Sequence, residues 1–160
     1  MAPTYELLPV LMQWLHVGSV VLMIGGFFFL RVVLLPAAKV LPAPQKAEII
    51  DAAFRRFRVI VWIALITILV SGVYNFIDFL ISTGNQTVTD PKLAPDYSMY
   101  IVVLGVKFLI VTFIFILGIA LTFPYPVYAP IQKRPAPWLN VTLILGLIVI
   151  FLSTFLRRMY

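Results

Sequence analysis

Apolar residues in this chain neither alternate nor keep to one face of a helix. They gather into four nearly unbroken runs, at 7–30, 59–81, 99–123 and 138–156. Each run is near the roughly 20 residues that an α-helix needs to cross a hydrocarbon core of about 30 Å. Unpaired backbone N–H and C=O groups are too costly to leave in hydrocarbon. The runs also lack the two-residue alternation of a membrane barrel, so helices are the elements that satisfy them. The pattern predicts an all-α fold, an integral-membrane four-helix bundle forming one domain over residues 1–160.

The segments between the runs read differently from one another. The first connection, 36–58, opens on the proline-punctuated LPAAKVLPAP and continues as QKAEIIDAAFRRFR. In its second part Ile49, Ile50, Ala53, Phe54 and Phe57 recur at helical spacing, while Glu48, Asp51, Arg55 and Arg58 take the other side. That spacing predicts an amphipathic helix over 45–58, an interfacial extension of the second span on its cytoplasmic side. The second connection, 82–97, is STGNQTVTDPKLAPDY, polar and rich in turn formers; the third, 124–137, is PYPVYAPIQKRPAP, dense in proline. Both are expected to be loops without helix.

Composition agrees with a lipid-facing exterior. Apolar residues make up 62% of the chain and charged residues 11%, too few to cover a soluble domain of this size. The net charge of +6 comes from basic residues flanking the apolar runs rather than from a groove-reading stripe, so nucleic acid is not an expected partner; the bilayer is. With no cysteine, disulfides, thiolate metal sites, iron–sulfur clusters and c-type haem attachment are all excluded. The first six residues carry no basic side chain, so the first run is expected to be retained as a span rather than cleaved as a signal.

The positive charges also predict orientation. Connections one and three carry Lys39, Lys46, Arg55, Arg56, Arg58, Lys133 and Arg134, whereas the other face has Lys92, Arg157 and Arg158. The richer face is expected to be cytoplasmic, with both termini non-cytoplasmic, in a multi-pass protein of the cell's inner (plasma) membrane.

Candidate chemistry lies where polarity is hardest to reconcile with lipid. His16 is the single histidine, nine residues after Leu7, and Lys107 lies nine residues after Ser98 on a span entering from the same side. At 1.5 Å per residue both fall about 13 Å below the outer boundary, near mid-membrane. Met12, Gln13, Ser19, Met23 and Phe27 fall within about 60° of His16 around the helix, which predicts an inward face. On the second span Thr67, Ser71, Asn75 and Asp78 form a polar stripe beside Gly72, and on the third Gly118 shares the face of Lys107. Stripes of this kind also serve close helix packing.

The runs QWLHVGSVVLMIGGFFFLRVVLLPA, RRFR, TILVSGVY and YSMYIVVLGVKFLIV together resemble the copper-resistance protein D (CopD) family in its short four-span form. The resemblance is carried by Leu15-His16, Ser71-Gly72 and the pair Tyr100 and Lys107, and it covers almost the whole chain. The layout is also similar to HemJ-type protoporphyrinogen oxidase, a family that uses a first-helix His and a third-helix Lys with haem b. The first resemblance implies copper handling or transport; an enzymatic role, if there is one, is expected to be that of a haem-dependent oxidoreductase. For copper, His16, Met12 and Met23 are the candidate soft-metal ligands of Cu(I). The second resemblance implies a haem b protein, a redox enzyme or electron carrier, with His16 and Lys107 as cofactor-binding residues. Gln13, Ser19, Ser71 and Asn75 are read as a supporting polar face for either ligand, and Trp14, Phe27 and Tyr74 as candidate walls for a haem. A third expectation is a non-catalytic subunit packed in a larger membrane complex or a homo-oligomer. Copper ion and haem b both remain open at this point. No P-loop, dinucleotide fingerprint, zinc motif or Ser-His-Asp arrangement occurs in a credible context.

Overall fold

The computed structural model of the chain describes residues 7–89 and 97–158. Helix α1 (Leu7–Phe28) passes into a wider π-helical turn, Phe29–Leu34, then a single turn α2 (Leu35–Ala37) and a 3-10 turn, Ala38–Val40. The chain breaks at Leu41 and Pro42, where Leu41 adopts extended backbone. It re-enters helix as α3 (Ala43–Thr89), followed by α4 (Tyr97–Thr122), a 3-10 turn Pro126–Tyr128, α5 (Ala129–Lys133) and α6 (Pro135–Arg158). Four stretches, Leu7–Val40, Ala43–Ile81, Met99–Thr122 and Pro135–Leu156, are long and apolar enough to cross a membrane.

All three connections hold more helix than expected. Helix continues past position 30 to Val40 because the π turn ends two residues before Pro36 and spans the residue that proline would clash with. A proline ring clashes with the carbonyl four residues back, here Val32, and the widened turn gives that carbonyl room. In the second connection α3 runs to Thr89, since no proline interrupts 82–89 and a single glycine costs only about 1 kcal/mol in a helix; residues 90–96 lie outside those described. In the third, prolines do not forbid helix. Pro126, Pro130, Pro135 and Pro137 each sit in the first turn of a short or long helix, where the missing N–H has no partner to lose.

The segment 45–58 belongs to the same continuous helix as the second apolar run. Its apolar side is buried at Phe54 and Phe57, while Asp51 and Arg55 pair on the exposed side at 3.1 Å.

Helix α1 packs on α3, α3 on α4 and α4 on α6, and α6 closes the ring against α1, so α1 and α4 face each other across a diagonal. The closest packing is within the pairs α1/α3 and α4/α6. Phe27 is fully buried and meets Phe57 edge-on at 5.1 Å, with Val61, Leu65 and Leu139 completing the centre. Gly26 makes this contact possible, because a Cβ there would stand 2.1 Å from the Phe57 ring. Outside the ring the surface is apolar: Leu109 is 74% and Phe151 69% exposed.

Side chains tie the helix ends. Arg58 donates from Nε to the Thr122 carbonyl at 2.6 Å and lies over the Phe123 ring, while Gln132 donates to the carbonyls of Ala120 and Phe123. The Ala120 and Thr122 carbonyls at the end of α4 have no later turn to pair with, and the Arg58 cation suits the negative end of the helix dipole. Arg31, inside the π turn, donates to Asn140 Oδ1 of α6 at 2.6 Å.

Candidate functional site

Between α1 and α3 the polar residues of two helices meet. His16 Nδ1 lies 3.1 Å from Ser71 Oγ. Ser71 is 1% exposed, and its hydroxyl donates to the Thr67 carbonyl one turn back. Gly72 completes the seat: a Cβ there would come within 3.3 Å of His16 Cε1, so the absent side chain lets the ring lie against the backbone of α3.

These contacts assign the ring's proton. The hydroxyl hydrogen of Ser71 is committed to Thr67, so Ser71 Oγ faces Nδ1 with a lone pair. Nδ1 therefore carries the hydrogen and donates. In a neutral imidazole Nε2 is then left with its lone pair, the arrangement in which a histidine binds a metal while its other nitrogen is anchored.

The other residues singled out on α1 divide. Met12, one turn before His16, is half-buried and shares its side of the helix, and Ser19 is buried. Gln13 is exposed, contrary to the inward face expected for it, because the buried stripe of α1 runs through Ser19, Met23 and Phe27 and leaves position 13 at its edge. Met23 is buried at 3% in the apolar core with Phe27, Phe57 and Val61, about 10 Å along the helix from His16. Its thioether fills the core rather than joining the histidine. Among the proposed haem walls Trp14 is 70% exposed on the outer surface and Phe27 is locked against Phe57, so neither lines a cavity at His16; Tyr74 is half-buried.

On α3, Thr67 and Asn75 are half-buried beside the buried Ser71, while Asp78 has turned out to the exposed side. Lys107 is half-buried on α4, across the diagonal from α1, and its charge acts on the His16 imidazole. No hydrogen-bond or ion-pair acceptor for its ammonium occurs among the described residues. Nor do the described residues contain a group of three His, Cys, Asp or Glu side chains able to enclose a metal ion.

Two features were not singled out from the sequence. The π turn at Arg31 had one signal, an ionisable residue inside an extended apolar run, and the seat for Arg58 at the end of α4 had none, since its acceptor is a backbone carbonyl. Compared with known proteins, the chain matches no family model, no curated protein and no solved structure.

Proposed function

We propose that this chain is a multi-pass membrane protein of the CopD-like type that handles copper, taking Cu(I) as cargo at His16. Both termini face the non-cytoplasmic side, and the basic connections face the cytoplasm. The observation that carries the proposal is the anchored imidazole: Ser71 Oγ, its own hydrogen given to Thr67, takes the Nδ1 hydrogen, which presents Nε2 as a ligand. The Met12 thioether one turn away is the soft partner Cu(I) accepts, and two ligands suffice for a loosely held ion. Met23, packed in the core, takes no part. The Lys107 ammonium opposes a bound cation, so the site holds copper weakly and suits passage rather than storage.

Lys107 is also the observation that favours a second reading. A cation acting on His16 with no acceptor among the described residues suits the carboxylate of a haem b propionate, and His16 would hold the iron. One preparation separates the two. Full-length protein, His16→Ala and Met12→Leu are purified in detergent, their absorption spectra recorded, and each titrated anaerobically with Cu(I) against a chromophoric chelator. Copper handling predicts binding that is abolished by His16→Ala and weakened by Met12→Leu, with no Soret band. A Soret band that disappears in His16→Ala replaces this reading with the haem one; unchanged binding in all three proteins removes His16 from both.

A further inference from the structure

At the opposite end of the bundle from His16, the end of the α2 segment, the start of α3 and the α4–α6 connection line an open-mouthed cavity of about 660 Å³. Lys39, Lys46, Arg55, Arg58 and Lys133 line it, against a single carboxylate, Asp51. That carboxylate is committed to Arg55 at 3.1 Å, and no acid lies within ion-pair distance of the three lysines among the described residues. The cavity therefore presents uncompensated positive charge, to which the first turns of α3 and α6 add the positive ends of their dipoles. Its deeper wall is apolar, built from Leu35, Ile50, Phe54 and Leu121.

Cations at the mouth and hydrocarbon behind them match an amphiphile with an anionic head. We infer that this cavity binds the phosphate-bearing headgroup of an anionic phospholipid, with the lysines on the phosphate and an acyl chain entering along the apolar wall. The volume is that of a small-molecule site, large enough for phosphate and glycerol together. Basic pockets at the ends of membrane helices recognise anionic headgroups by this chemistry. Inorganic phosphate shares the charge but not the hydrocarbon, so the apolar wall selects the lipid. This assignment rests on the four helices lying in a bilayer, and it places Lys39, Lys46 and Lys133 at headgroup level.

The test uses native mass spectrometry of the full chain in detergent, offered equal amounts of phosphatidylglycerol and phosphatidylcholine. The expected result is retention of one phosphatidylglycerol per chain, with affinity about tenfold lower in Lys46→Gln/Lys133→Gln and unchanged in Arg158→Gln. Lys39→Gln, whose side chain is exposed, supplies the same reading should the double variant not fold. Equal retention of both lipids, or unaltered binding in the lysine variants, overturns the assignment. Inorganic phosphate that displaces the lipid at equal concentration also overturns it and assigns the cavity to a soluble anion. Alkaline extraction of native membranes separately reports insertion, so failure of the lipid site is distinguishable from failure of the membrane reading.

Discussion

At the scale of single residues, the environment of His16 decides what its ring can do. Removing the Ser71 hydroxyl by Ser71→Ala takes away the partner of Nδ1, and Cu(I) affinity measured by chelator competition is expected to fall about tenfold, the low end for loss of an orienting partner. Gly72→Leu should weaken binding further by forcing the ring from its seat. Two other glycines separate packing from propensity. At Gly26 a methyl group would overlap the Phe57 ring, so Gly26→Ala should destabilise the bundle by about 1–3 kcal/mol, read as a lower Tm in detergent. Gly18 has nothing within 4 Å of a new Cβ, and Gly18→Ala is expected to leave Tm unchanged or raise it by an amount reflecting up to about 1 kcal/mol. The sequence singled out His16 and Ser71, each a polar residue inside an apolar run. It said nothing of which ring nitrogen carries hydrogen, since that depends on the Ser71 rotamer.

At the scale of elements, the apolar runs were legible and their ends were not. Hydropathy marks where lipid or core demands apolar side chains, whereas a helix stops only where its hydrogen-bond ladder fails; α3 accordingly outruns its apolar part by continuing to Thr89. Pro36 was misleading for the same reason: a proline stops a helix only if the carbonyl four residues back has nowhere to go, and the Phe29–Leu34 turn provides that space. The end of α4 depends on a residue 64 positions earlier, the Arg58 guanidinium on the Thr122 carbonyl. Arg58→Met removes that donor and is expected to cost about 1–3 kcal/mol in thermal unfolding. Arg58→Lys should restore only part of it, because an ammonium lacks the planar fork that donates to the carbonyl while covering Phe123.

At the scale of the whole molecule, the bundle separates two chemistries, a histidine seat in the half nearer Leu7 and a basic cavity where the α1–α3 and α4–α6 connections meet. The charge imbalance that predicts orientation comes largely from the lysines and arginines of that cavity, so topology and lipid recognition share residues. Cysteine introduced at position 87 should react with an impermeant maleimide in intact cells, and cysteine at position 133 only after permeabilisation; the reverse pattern would invert the orientation. The four-helix layout was readable because lipid leaves so few ways to satisfy a backbone, while the ring of contacts that brings α4 diagonal to α1 was not, because nearly every face of every run is apolar. The central claim, an imidazole fixed through Nδ1 so that Nε2 binds Cu(I), has a direct test in the composition, since the chain contains one histidine. Nitrogen-15 NMR of protein labelled at histidine alone reports that ring and nothing else. The account predicts a protonated Nδ1 and an unprotonated Nε2, with Nε2 showing the larger displacement on Cu(I) addition; a protonated Nε2 in the resting protein, or a ring indifferent to Cu(I), would contradict it.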